Sequence, residues 1–311
     1  MYSLIRKETE QQVLDHFNEL EISGVGYETT TPKVVWHNYV PRDYSQDYLT
    51  FTALENGTIS FTVFSWFDTS YLTSISYSLN DGEWVTFYNS DGREDNEVID
   101  INVNAGDKIR CKGIAKTYGY YDYNGCVITS TCRFNAYGNI MSLLYGDNFI
   151  GETDLSDNDD AFQYLFCDTN AGNECLLINA ENLILPATTL ASKCYLSMFD
   201  SCTSLTTAPE LPATTLIDWC YNGMFRGCTS LTKAPELPAT TLVKECYNSM
   251  FNGCSRLNYI KCLATNISAS DCTSNWVNGV SATGTFAKAS SMSSWTTGTS
   301  GIPSNWTVQD A

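Results

Sequence analysis

The sequence predicts a mixed fold: an N-terminal helix, an antiparallel β-sandwich, and a C-terminal α/β solenoid with a 26-residue period. Three patterns carry that expectation. A 3.6-residue apolar periodicity runs through residues 3–22, alternation of period two fills residues 33–139, and one phrase is written nearly three times between Pro186 and Cys254. The implied divisions are residues 1–26 for an attachment or oligomerisation helix, 27–139 for the sandwich, 140–160 for a joint, and 161–311 for the repeats with their capping ends.

A chain of 311 residues with 43% apolar side chains is long enough for two cores of ordinary size. The formal charge is −18, and the acidity is spread: 20 acids face 10 bases through residue 150, and 15 face 7 after it. Such a surface repels phosphate backbones, which argues against nucleic acid as a partner. No stretch of 18 apolar residues exists to enter a membrane. The start, MYSLIRKETEQQVLDHF, lacks the apolar run of a secretory signal, so assembly in a cytoplasm is the expectation.

In residues 3–22, Ile5, Val13, Leu14, Phe17 and Leu20 form one apolar side, and Glu8, Glu10, Asp15, Glu19 and Glu21 the other. Gly24 supplies a stop. A helix this short needs a surface to pack on. Two readings stand side by side: it packs on its own β domain, or it bundles with other copies, as a trimer, or docks on a larger assembly.

The β region begins with runs at residues 48–54 and 58–63 around Glu55-Asn56-Gly57, which reads as a hairpin. Residues 74–79 and 84–88 around Asn80-Asp81-Gly82 read as a second hairpin. Further strands are expected at residues 98–103, 109–115 and 126–134, with a turn at Ala105-Gly106-Asp107. Seven or so short strands at this spacing argue a sandwich. The loop holding Tyr118, Tyr120, Tyr121 and Tyr123 is a candidate platform for sugar rings or protein surfaces; covering a sandwich edge is the alternative.

In the joint, Ile140, Leu143, Leu144 and Phe149 are placed to seal sandwich against repeats. Residues 154–160 resemble a calcium loop only in part, because Asp159 stands where glycine is needed and Leu165 where glutamate is needed.

Each repeat divides by pattern. In the second, Cys220, Tyr221, Met224, Phe225 and Cys228 share one arc at helical spacing, with Thr215 and Asp218 as a capping pair and Gly227 near the end, so a short amphipathic helix is expected. Pro235 and Pro238 make the following half extended, with Leu231, Ala234 and Leu237 inward. One such unit cannot bury its apolar side, whereas neighbours in register can. Of thirteen cysteines, six fall in two registers, Cys194/Cys220/Cys246 and Cys202/Cys228/Cys254, expected as buried reduced thiols. After Leu257 the repeat degenerates, with Trp295 and Trp306 placed to lid its end.

The phrases LPATTL, CYxxMFxGCTSL and TxAPE resemble BspA-type leucine-rich repeats of surface proteins from gut anaerobes such as Bacteroides and of their phages. The resemblance covers residues 160–310. It implies a helix-and-strand leucine-rich-repeat solenoid used for adhesion, without a catalytic centre. The stretches YLTFTALENGTISF, SYSLNDGEW and FNAYGNIMSLLYGDNF resemble the domain that precedes such repeats in related proteins.

Where the repeats differ, they suggest a tuned surface: Ser192-Lys193, Asp218-Trp219 and Lys244-Glu245 on one side, and Thr206-Thr207, Thr232-Lys233 and Asn258-Tyr259 on the other. Drift at solvent positions explains the same pattern. Trp219, Lys233 and Tyr259 join the loop tyrosines as candidate binding residues. No catalytic residue, cofactor or metal ligand set is expected: nucleotide and hydrolase motifs are missing, only His16 and His37 exist, and no CxxC pair occurs. A pair of carboxylates acting on glycans stays open. The expected function is a phage virion protein, a head or tail fibre, that touches other virion proteins and a host-surface glycan or protein. A bacterial surface adhesin is the alternative, and a glycan-active enzyme ranks third.

Overall fold

Ten strands come first in the chain: β1 (Leu49–Ala53), β2 (Gly57–Val63), β3 (Leu72–Leu79), β4 (Val85–Tyr88), β5 (Glu97–Val103), β6 (Lys108–Ala115), β7 (Cys126–Ser130), β8 (Phe134–Asn139), β9 (Leu177–Asn179) and β10 (Leu183–Ile184). Three more follow near the C-terminus, β11 (Tyr259–Cys262), β12 (Thr285–Lys288) and β13 (Thr307–Asp310). The computed structural model describes residues 43–63, 72–88, 97–119, 126–166 and 175–311. The chain divides into two compact units at Arg42, and the second, Asp43–Ala311, holds all the described residues. The expected N-terminal helix, with Ile5, Val13, Leu14, Phe17 and Leu20, lies outside them.

The antiparallel sandwich of the sequence reading needs correction. The large sheet is seven-stranded and mixed, in the order β10-β8-β1-β6-β3-β4, with β9 also on β8. Its five early strands pair antiparallel, and β9 and β10 join β8 in parallel. A second sheet has the order β5-β2-β7, antiparallel, and a third, β11-β12-β13, is wholly parallel. Leu49, Phe51, Ile109 and Cys111 of the first share one core with Ile59, Phe61, Ile99 and Ile128 of the second.

The expected hairpin at Glu55-Asn56-Gly57 is also not formed, since β1 pairs with β6 and β8 while β2 pairs with β5 and β7. The three residues are a corner between sheets. Asn56 Oδ1 accepts the Ala105 amide at 3.0 Å, and a Cβ on Gly57 would come within 2.6 Å of the Cys132 Cβ. The strands around Asn80-Asp81, by contrast, pair directly, and both residues sit at positive φ (50° and 59°), the backbone of a tight primed turn.

The α/β leucine-rich-repeat solenoid is overturned by the absence of its helices. Among the described residues the one α-helix, α1 (Ser142–Tyr145), is four residues long and precedes the repeats. Where helices were expected the backbone instead makes successive turns, entering the left-handed region at every fourth residue: Lys193, Ser197 and Ser201, then Trp219, Gly223 and Gly227, then Glu245, Ser249 and Gly253, then Asp271, Asn275 and Gly279. Even-numbered amides close local turns, as from Leu196 to Lys193 O at 3.0 Å and Arg226 to Gly223 O at 2.9 Å. Odd-numbered amides cross to the next unit, as from Tyr195 to Cys220 O, Phe199 to Met224 O, Tyr221 to Cys246 O and Phe225 to Met250 O, at 2.9–3.2 Å. An α-helix would satisfy all of these internally, so alternation is the physical difference.

Residues at 26-residue offsets therefore lie over one another. Phe166, Phe199, Phe225 and Phe251 stack in sequence with centroids 5.2–5.8 Å apart and planes within 7°. A second file runs Tyr118, Phe162, Tyr195, Tyr221, Tyr247, Trp276, Trp295, with spacings of 5.5–6.5 Å. Offset stacks at this distance contribute beyond area burial. The thiols form a third file: Cys202, Cys228 and Cys254 donate from Sγ to the carbonyls of Phe166, Phe199 and Phe225 at 3.2, 3.1 and 3.0 Å. On the extended side, Lys233 bridges Tyr259 and Thr241 bridges Asn266 in parallel.

Phe225→Ala is expected to cost about 3–5 kcal/mol, since the ring is fully buried between two others; urea unfolding measures it. Burial lifts the thiols of Cys126, Cys194, Cys246, Cys254 and Cys262 from the ordinary 9.0 to about 12. A raised acid stays neutral in the fold while the unfolded chain ionises, so this contribution is complete below pH 9 and lost as pH climbs towards 12. Stability should fall by about 1.4 kcal/mol per such thiol for each pH unit in that window, checked by unfolding at a series of pH values.

Candidate functional site

Two rows of side chains leave the repeat frame at matched heights. The first follows the left-handed position that opens each run of turns: Lys193, Trp219, Glu245 and Asp271, with φ of 55°, 68°, 52° and 52°. Trp219 donates its amide to Lys244 O at 3.1 Å, and Glu245 donates to Ser270 O at 3.1 Å, which fixes the spacing of the row. Trp219 is half-buried, and the Lys244 ammonium stands 5.6 Å from its ring centroid. Burial pushes the Glu245 carboxyl above the usual range, with Asp271 and Asp218 adding to the rise and Lys244 opposing it. A tryptophan in this backbone region is held against a steric cost of roughly 1–2 kcal/mol.

The second row lies on the extended side. Lys233 and Tyr259 are bridge partners, Ala234 donates to Tyr259 O at 3.0 Å, and the Lys233 ammonium sits 5.8 Å from the Tyr259 centroid. Tyr259 continues through Thr285 to Thr307 across the third sheet. Beside them Lys261 pairs with Glu236 at 3.0 Å and Lys288 with Asp310 at 2.9 Å.

The tyrosine loop divides. Tyr118 is wholly buried, donating its hydroxyl to Leu143 O at 2.9 Å and stacking on Phe162, so its ring faces protein. Tyr120, Tyr121 and Tyr123 lie outside the described residues. Within residues 154–160 two carboxylates are engaged on backbone: Asp154 accepts from the Ser156 amide at 2.7 Å and Asp159 from the Ser192 amide at 3.1 Å. Among the described residues no group of three or more His, Cys, Asp and Glu is arranged to hold a metal.

A cluster that sequence reasoning missed covers the outer face of the large sheet. Lys112 of β6 stands 4.3 Å from the Trp84 centroid and pairs with Asp147 at 2.8 Å, and Tyr48 donates its hydroxyl to the same carboxylate at 2.8 Å. Those bonds hold the Asp147 carboxyl below its usual range, while burial raises the Tyr48 phenol. Ser78, fully buried beneath, donates to Gly82 O at 2.7 Å and accepts from Arg110 at 3.2 Å. The alternation of Arg110 and Lys112 along β6 was the available signal. Lys112, Tyr48 and Asp147 thus have their partners within the cluster, and Arg110 pairs with Asp81 at 3.1 Å. A shallow groove of about 210 Å³ lies at the far end of the repeats, between Val277, Val280, Gly298 and Pro303.

The chain matches no protein-family model, and no curated protein or solved structure is similar to it.

Lys233→Ala and Tyr259→Ala should each leave stability within about 0.5 kcal/mol of the parent, because both side chains lie outside the core. Tyr221→Ala, in the buried file, should cost about 3–5 kcal/mol. Equal losses in denaturant titrations would contradict this separation of frame from surface.

Proposed function

We propose that this chain is a non-catalytic recognition protein, a virion structural protein of the head- or tail-fibre kind, whose repeats contact a host-surface glycan or protein. The observation that carries the reading is the contrast within the repeats. Buried positions repeat as Cys, Tyr, Met, Phe and Cys, while matched surface positions change from Ser192-Lys193 to Asp218-Trp219 to Lys244-Glu245. Hydrogen bonds between units hold those changing side chains at fixed spacing, which is what a binding surface needs and what reduces the ordering cost of binding. The resemblance of the repeat phrases to adhesive repeats of gut anaerobes and their phages supports the virion setting. A homotrimer built through residues 1–26 belongs to the same proposal.

Immunogold labelling of purified particles with an antibody to this chain is expected to decorate the virion. Bare particles beside a labelled bacterial envelope would replace this reading with that of a surface adhesin, and release of oligosaccharide from host polysaccharide would replace the non-catalytic part of it. Light scattering should give three chains per assembly.

A further inference from the structure

The frame demands a left-handed backbone at three places in each unit, and the sequence answers that demand unevenly. At the second place stand Tyr164, Ser197, Gly223, Ser249 and Asn275, and at the third Ser201, Gly227, Gly253 and Gly279. Apart from Tyr164 these are small residues, with glycine and asparagine the ones that reach positive φ at least cost. The first place holds Lys193, Trp219, Glu245 and Asp271. Trp219, at a φ of 68°, is the largest side chain at any of these places, and it takes no part in the buried ring files. Strain kept where a glycine would relieve it points to a use for the side chain.

We infer that Trp219, with Asp218, Lys244 and Glu245 around it, is a subsite for a neutral pyranose; this rests on the reading of the repeats as a recognition surface. The indole offers an apolar face to sugar C–H groups, and the neighbouring groups offer what sugar hydroxyls need. Asp218 and Glu245 accept, and the Lys244 ammonium donates. The mixture of signs selects against charged ligands. A sulfated or phosphorylated chain would meet Asp218, Glu245 and Asp271 together, and would be repelled by all three.

The test uses the full chain against immobilised dextran, mannan and galactan, with heparin and polylysine as charged comparators. The parent protein should bind at least one neutral polymer more tightly than either comparator. Trp219→Gly should weaken that binding at least tenfold while leaving the unfolding midpoint unchanged or raised, because glycine adopts positive φ without strain. Should that variant unfold, Asp218→Asn at an exposed position carries the same expectation of a tenfold loss. Undiminished binding by the folded variant, or a preference for heparin or polylysine, overturns the subsite. Binding of intact protein to host cells with no neutral polymer bound also overturns it, and leaves recognition of another receptor standing.

Discussion

In the turn half of each 26-residue unit, as from Trp219 to Cys228, every second amide finds its acceptor in the following unit, and the amides between them close turns at home. The rest of the C-terminal half follows from that division. Buried amides left without acceptors are costly, so no unit is satisfied until its neighbour is in place and in register. Register then fixes the side chains: tyrosine stands over tyrosine, phenylalanine over phenylalanine, and the thiols of Cys228 and Cys254 each reach a carbonyl of the unit before. The left-handed residue at every fourth position is what turns alternate amides outward. Glycine at three successive units, 227, 253 and 279, keeps the backbones close, with hypothetical Cβ atoms on Gly253 and Gly279 meeting the preceding glycine at 3.5 Å.

The ring files continue into the sheets. Tyr118 stacks on Phe162 of the first unit, and Phe51 of β1 meets Phe166 edge-on at 6.1 Å. The strands β9 and β10, which lie between the first and second runs of turns, add in parallel to β8. The large sheet is mixed for this reason, and sheets and repeats share a single hydrophobic core. At the other end Trp276 occupies the matched methionine position, donates its indole N–H to Gly301 O at 2.8 Å and stacks against Trp295. Large rings close the file where no further unit supplies one.

A frame held by backbone bonds leaves its outward side chains uncommitted, which suits recognition better than chemistry. The two rows around Trp219 and around Lys233 and Tyr259 change residue type from unit to unit without touching the buried files. The cluster of Trp84, Lys112 and Asp147 on the sheet face shows the opposite arrangement, in which aromatic and charged groups are bound to one another.

The sequence by itself determined the period, the buried face and the register of the repeats: Cys220, Tyr221, Met224, Phe225 and Cys228 are all buried, as their spacing says. It also placed β1 to β6 within a residue or two, though it ran β7 and β8 together over residues 126–134, and put Ile140, Leu143, Leu144 and Phe149 in the core. Helix against turn was beyond it. Over the eight steps from Cys220 to Cys228, a helix at about 100° per residue and a turn path of period four differ by only about 80°, within one apolar arc. Gly223 and Gly227, four apart, were the legible hint. Partner choice was likewise decided by tertiary structure: Glu55-Asn56-Gly57 permits a tight reversal but does not say which strands it joins. Alternation states which face of a strand is buried, whereas its neighbours follow from where the other apolar faces lie, and only the assembled core supplies that.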